Sequence, residues 1–167
     1  MPLLCIIFGS RSDIKFAQEA KLKDLLQALR LNKPACEISI LSAHRHNGQL
    51  PGYLLDKLSQ GALVFIGAAG MAAHLPGIIA ACTSALVPVF GVPLPCSEFP
   101  NAEDAMLSMV RMPSGTPVMV AGVGKSGLVN AVVAAAQIIA LTHEEVREAL
   151  LEYRRTKTPP PEIDIEV

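Results

Sequence analysis

The chain of 167 residues is 51% apolar and 17% charged, with a formal net charge of −1. This length fits one domain with a sizeable core, and the even charge leaves no basic stripe for a nucleic-acid surface. With aromatics at only 4%, the core has to be built from Ala, Val, Ile and Leu, a palette suited to helices packed closely on a parallel sheet.

In chain order, Leu3 to Phe8 is a short apolar run and reads as the first strand. Ser12 or Asp13 then caps a helix that places Phe16, Ala20, Leu22, Leu26 and Leu29 on one side. Glu37 to Leu41 is the second strand. Leu50, Leu54, Leu55 and Leu58 mark a second helix, with Pro51 in its first turn. Leu63 to Ile66 is the third strand, followed by a helix of small residues, "AAHLPGIIAAC". Val87 to Gly91 is the fourth strand and Ala102 to Val110 its helix. Val118 to Ala121 is the fifth strand, before a long alanine-rich helix from Ser126 to Leu141. That helix is apolar almost all round, as one buried in a core or between subunits would be. Thr142 and Glu145 have the spacing of a capping box opening a last helix, "HEEVREALLEYRR". The predicted domain is 1–155, and 156–167 is a proline-rich tail.

Five strands alternating with helices predict an α/β fold. The simplest form is a flavodoxin-like doubly wound parallel sheet in three layers, strand order 2-1-3-4-5, with a C-terminal helix. From Gly61 to Cys96 no residue carries a fixed charge, but Gly70, Pro76, Pro88 and Pro93 interrupt the run too often for a membrane span. Cys5, Cys36, Cys82 and Cys96 have no metal-ligand spacing and read as small buried hydrophobes of a reducing compartment. The opening apolar run lacks a basic region before it, so no signal peptide is expected and the protein is assigned to the cytoplasm.

In a sheet of this order, ligands sit beyond the carboxyl ends of the strands where strands one and three diverge. Three polar segments converge there. "GSRSD" (9–13) is either an ordinary helix cap or a cradle of hydroxyls and free N–H groups for a phosphate. Asp13 is awkward beside a phosphate but suits sugar hydroxyls. "SAHR" (42–45) sets a two-pronged phosphate donor, Arg45, beside a titratable imidazole, His44. "GAAGMAAHLPG" (67–77) is either a packed turn or a backbone-lined wall, with His74 a second site residue or a helix-start residue. "GVGKSG" (122–127) has Met119 where a phosphate loop needs glycine, so it reads as a strand-to-helix turn.

"GSRSD", "SAHR", "AAHLPG", "PVFGVP", "MPSGTPV", "GKSG" and "NAVVAAAQI" occur in the order and near the spacing of the PurE family of purine biosynthesis. That family comprises N5-carboxyaminoimidazole ribonucleotide mutases and aminoimidazole ribonucleotide carboxylases. The chain resembles it over roughly residues 3–155. The resemblance implies a flavodoxin-like fold in a homo-octamer, with no metal or organic cofactor. The implied partners are a small-molecule ribonucleotide and carbon dioxide, with no nucleic acid or membrane. By the same resemblance, Ser10 and Arg45, assisted by Ser12 and Ser42, hold the phosphate, and Asp13 holds the ribose hydroxyls. His44 is the general acid/base, and Ala43 belongs with the substrate-binding residues. Ala69, Gly70, Ala72, His74 and Leu75 surround the imidazole and carbon dioxide in a water-poor pocket.

The implied activity is isomerisation of N5-carboxyaminoimidazole ribonucleotide to 4-carboxy-5-aminoimidazole ribonucleotide, by decarboxylation and recarboxylation. Two alternatives stay open: direct carboxylation or decarboxylation within the same chemistry, and a non-catalytic ribonucleotide-binding homologue. The departures from the family pattern are specific. Met71 stands where the mutases commonly have glycine, Cys82 where lysine is common, and "HNG" follows Arg45 in place of "TPD". "PLPCSEFPNAED" is slightly longer than the mutase pattern. "RMPSG" (111–115) is similar to the carboxylase branch, whereas Arg45 and "AAHLPG" are similar to the mutase branch.

Overall fold

The computed structural model describes residues 1–157. Five parallel strands, β1 (Leu4–Phe8), β2 (Cys36–Ile40), β3 (Val64–Ala69), β4 (Val89–Pro93) and β5 (Met119–Val120), form one sheet in the order β2-β1-β3-β4-β5. This is the expected topology. Seven α-helices connect or follow them: α1 (Ile14–Glu19), α2 (Leu22–Ala28), α3 (Leu50–Ser59), α4 (Leu75–Cys82), α5 (Glu103–Val110), α6 (Gly124–Ile139) and α7 (Glu144–Lys157). No helix among the described residues is long and apolar enough to cross a membrane.

Both faces of the sheet are covered, as an all-parallel sheet requires. Alternation along β1 sends Leu4, Ile6 and Phe8 into one layer with α1, α2, α6 and α7, where Leu26, Leu128, Val132 and Val146 meet them. Cys5 and Ile7 go into the other layer, with Leu54 of α3, Ile79 of α4 and Met109 of α5. Burial holds the Cys5 and Cys36 thiols up at about 12. They behave as the expected hydrophobes, whereas Cys82 and Cys96 are only half-buried. The apolar helix α6 packs in the chain's own core through Leu128, Ala131, Val132, Ala135 and Ile139.

Several boundaries differ from expectation for physical reasons. β3 and β4 both run past their glycines, Gly67 and Gly91, which lie inside central strands rather than ending them. A Cβ on Gly91 would lie 2.7 Å from Met109 Sδ, so that position lets α5 pack closely on the sheet. The first predicted helix is two, because Lys21 adopts a left-handed conformation at φ 48°. Its apolar face is nonetheless as predicted, with Phe16, Ala20, Leu22, Leu26 and Leu29 buried. In the second predicted helix, Leu55 is exposed.

The expected capping box does not form. Thr142 closes α6 instead, its N–H and hydroxyl both donating to the Ile139 carbonyl, and the His143 carbonyl receives the first N–H groups of α7. α7 extends to Lys157, so Thr156 and Lys157 are helical rather than tail. The remainder of the expected tail lies outside the described residues. "GVGKSG" carries the chain from β5 into α6, but α6 already begins at Gly124 rather than at the expected Ser126.

Register brings the carboxyl ends of four strands level. Phe8 is opposite Ile40 and Ala68, and Ala69 is opposite Pro93. The ladder continues one bond past each end: Gly9 N–H to the Ala68 carbonyl, Leu41 N–H to that of Phe8, and Leu94 N–H to that of Ala69, each at 2.9 Å. Those bonds draw the following loops into one rim.

Candidate active site

Along that rim lies a cavity of about 520 Å³. All twelve residues expected at the site line it: Ser10, Ser12, Asp13, Ser42, Ala43, His44, Arg45, Ala69, Gly70, Ala72, His74 and Leu75. Lys125 of "GVGKSG" is not among the lining residues.

After β1 the chain makes a tight turn over Arg11–Asp13 before α1. Ser10 caps it, with Ser12 Oγ 2.9 Å from Ser10 Oγ and the Asp13 N–H donating to the Ser10 carbonyl. Two hydroxyls and a carboxylate are thereby gathered on the cavity lining. Burial pushes the Asp13 carboxyl above its ordinary range, although hydrogen bonding at Ser10 and Ser12 and the charges of Lys15 and Arg45 pull the other way.

After β2 the backbone turns immediately, which explains why an apolar strand ends in "SAHR". The Ser42 carbonyl accepts the His46 N–H at 2.9 Å, and Ser42 Oγ accepts the Arg45 N–H at 3.3 Å. This closed turn buries Ser42 and Ala43 and extends His44 and Arg45 outward. The His46 carbonyl then receives the Gln49 and Leu50 N–H groups, anchoring the turn to α3.

The loop after β3 completes the site. A Cβ on Gly70 would lie 2.8 Å from the Leu94 carbonyl oxygen, so glycine alone lets this loop cross β4 so closely. Met71 follows at φ 55°, a left-handed conformation that costs about 1–2 kcal/mol in a non-glycine residue. His74, at the start of α4, directs its ring to His44: His44 Nε2 and His74 Nδ1 are 3.0 Å apart, with the rings edge to face at 70°. One facing nitrogen must donate and the other accept, so the neutral pair shares a single proton across that contact.

Two features depart from expectation. His44, Arg45 and His74 are all exposed to solvent in the single chain, so the pocket is open rather than water-poor. Its apolar wall is present, with Ala69 and Leu75 at 7% and 1% exposure. Second, Gly9, Met71, Pro95 and Cys96 also line the cavity. Pro95 and Cys96 follow β4, which the sheet order places beside β3; its carboxyl end therefore faces the same rim. Cys96 is a cavity residue, not the core hydrophobe expected. No cluster of three or more His, Cys, Asp or Glu side chains suited to a metal ion occurs among the described residues.

The arrangement combines a cation and hydroxyls for an anion, a carboxylate for a diol, and paired imidazoles for proton transfer, beside a small-residue wall. Comparisons with known proteins identify the family. Residues 3–159 match the family model described as AIR carboxylase. The chain is similar to N5-carboxyaminoimidazole ribonucleotide mutases of Brucella melitensis (40% identity, covering 93% of this chain and 91% of that one) and Bacillus subtilis (42%, covering 92% and 90%). The crystal structure of Treponema denticola PurE has the same fold, with a TM-score of 0.74 at 24% identity over 94% of this chain and 92% of that one. The family-model match and the identity to these relatives place this chain in the AIR carboxylase family, the PurE family of purine biosynthesis.

Proposed function

We infer that the protein catalyses the isomerisation of N5-carboxyaminoimidazole ribonucleotide to 4-carboxy-5-aminoimidazole ribonucleotide. The observation that carries this reading is the gathering of Ser10, Ser12, Asp13 and Arg45 around the His44–His74 pair in one cavity. The similar proteins named as mutases support it.

The roles follow from the chemistry of each group. Arg45 and the hydroxyls of Ser10, Ser12 and Ser42 receive the phosphate, and Asp13 accepts from the ribose hydroxyls. The carbamate C–N bond breaks with its electron pair returning to nitrogen, which takes a proton from His44 and releases carbon dioxide. Ring carbon C4 uses the enamine electrons to form a C–C bond to that carbon dioxide. C4 then loses its proton to His44, restoring the aromatic ring and the starting charge of the enzyme. His74 offers a second imidazole through which the same proton is shared. Carbon dioxide rests against Ala69, Gly70, Ala72 and Leu75, which give it no hydrogen-bonding competitor. Holding it beside C4 removes association entropy, worth up to roughly 7–11 kcal/mol in well-oriented systems.

The open cavity fits the homo-octamer that the family resemblance suggests, in which neighbouring copies would reduce its exposure; a monomeric mass by light scattering would contradict this. Direct carboxylase activity is the second reading, motivated by "RMPSG" and Met71. None of residues 111–115 lines the cavity itself, although Arg111 lines an adjoining cleft with Met71, Ala72 and His74, and Met112 lies against Gly77 of α4. The test is a rate assay with both carboxylated ribonucleotides and ¹³C-labelled bicarbonate, without added metal or ATP. Interconversion with retention of the substrate's own carbon is the expected result. Rapid entry of label from solution would shift the assignment to a carboxylase, and no turnover at high enzyme concentration would remove both.

Asp13→Asn separates stability from function. Burial raises the Asp13 carboxyl's pKa, so the folded chain binds that proton more tightly than the unfolded chain. Stability from this group is present below the unfolded pKa and is lost as pH rises through the folded one. The variant is therefore expected to melt at a higher temperature than wild type near pH 7, with the gain vanishing below an ordinary aspartate pKa of about 3.9. The same change is expected to weaken ribonucleotide binding roughly 10- to 100-fold, the usual effect of losing hydrogen bonds to a charged group. Melting curves across pH, paired with a binding titration, check both.

A further inference from the structure

We propose that His46 is a positioning residue whose ring, not only its backbone, fixes the orientation of the turn carrying His44 and Arg45. The inference rests on the reading of that turn as catalytic. The Ser42 N–H donates to His46 Nδ1 at 2.9 Å, while the His46 N–H donates to the Ser42 carbonyl at the same distance. The pair clamps the turn on both sides of His44 and Arg45. Ser42 is only 6% exposed, so its N–H has little access to water and depends on that ring nitrogen.

The clamp also connects two sites of anchorage. The His46 carbonyl ties the turn to α3, and Ser42 Oγ holds the Arg45 N–H. His46 itself is half-buried and lines a smaller cleft of about 320 Å³ with Gly9, Ser10, Arg11, Ile40 and Arg45, directly beside the main cavity. With Nδ1 committed as an acceptor, the neutral ring carries its proton on Nε2. Few side chains place an acceptor at that reach. The amide oxygen of asparagine falls where Nδ1 lies, whereas that of glutamine sits one methylene further out and leucine has none. Because a displacement of about 1 Å at a reacting group can cost roughly 100-fold in rate, a slack turn would be felt in catalysis although His46 performs no chemistry.

The experiment compares His46→Leu, His46→Asn and His46→Gln in the full chain. It measures kcat and KM for the interconversion, affinity for aminoimidazole ribonucleotide, and hydrogen exchange at the Ser42 amide. His46→Leu is expected to lower kcat/KM roughly 10- to 100-fold, on the scale of that displacement, and to speed Ser42 exchange. His46→Asn is expected to restore both to near wild type, and His46→Gln is not. Wild-type kcat/KM and Ser42 protection in His46→Leu would overturn the proposal, as would rescue by glutamine equal to that by asparagine. If His46→Leu does not fold, the asparagine–glutamine contrast decides. If wild type shows no interconversion, the catalytic reading fails on its own, and exchange at Ser42 with ribonucleotide affinity still tests the clamp.

Discussion

His44→Asn is expected to lower kcat by roughly 10²- to 10⁴-fold, the range that a positioned general acid/base contributes. Ribonucleotide affinity should stay within about tenfold, or about 1.4 kcal/mol. The asymmetry follows from the geometry. His44 sits between the phosphate-competent group Arg45 and the second imidazole, His74, 3.0 Å away. Asparagine keeps a polar side chain at that place but cannot carry a proton from nitrogen to C4. The groups assigned to the phosphate and ribose are all on other residues, and the turn is held by Ser42 and His46, so binding survives. Steady-state kinetics with a separate binding titration reads the two quantities. Turnover retained at wild-type rate would mean that His74 or water moves the proton and that His44 does not.

Arg45→Ala is expected to do the reverse, raising KM and the dissociation constant roughly 10- to 100-fold with a smaller change in kcat. Hydrogen bonds to a charged partner contribute about 1.5–3 kcal/mol, and a guanidinium offers two of them to a phosphate. The substitution leaves the turn intact, because the bonds holding it run from the Arg45 backbone N–H to Ser42 Oγ and between Ser42 and His46, none of them through the Arg45 side chain. Arg45→Lys should recover only part of the affinity, since an ammonium supplies the charge without the fork. Affinity unchanged in Arg45→Ala would place the phosphate elsewhere in the cavity.

Much of this architecture is legible in the residues themselves. Short apolar runs such as "LLCIIF" (3–8) and "LVFI" (63–66) read as strands buried on both faces, and their alternation with helices makes 2-1-3-4-5 the simplest sheet order. The same logic finds most of the cavity lining, because polar residues that follow apolar strands at one end of the sheet converge on one rim. What escapes the sequence is of a different kind. No glycine or proline marks the left-handed break at Lys21, so one helix could not be told from two. Gly67 and Gly91 look like strand ends, although they are places where a helix lies close. Thr142 has the sequence of a cap, but the short turn between α6 and α7 engages it with Ile139 first. Pro95 and Cys96 could have been found, since the predicted order already puts β4 beside β3. The ring-to-backbone bond of His46 leaves no signature in the sequence, because only the closed turn brings Nδ1 to Ser42. The expected dryness of the pocket is a property one chain does not possess: His44, Arg45 and His74 face solvent.

The most direct measurement is a crystal structure of the protein with 4-carboxy-5-aminoimidazole ribonucleotide bound. On this mechanism the phosphate is expected on Arg45 and the serine hydroxyls, and C4 of the base within about 3.2 Å of a His44 nitrogen or one water away, the reach of general acid/base catalysis. A base lodged away from the His44–His74 pair, with the phosphate off Arg45, would contradict it.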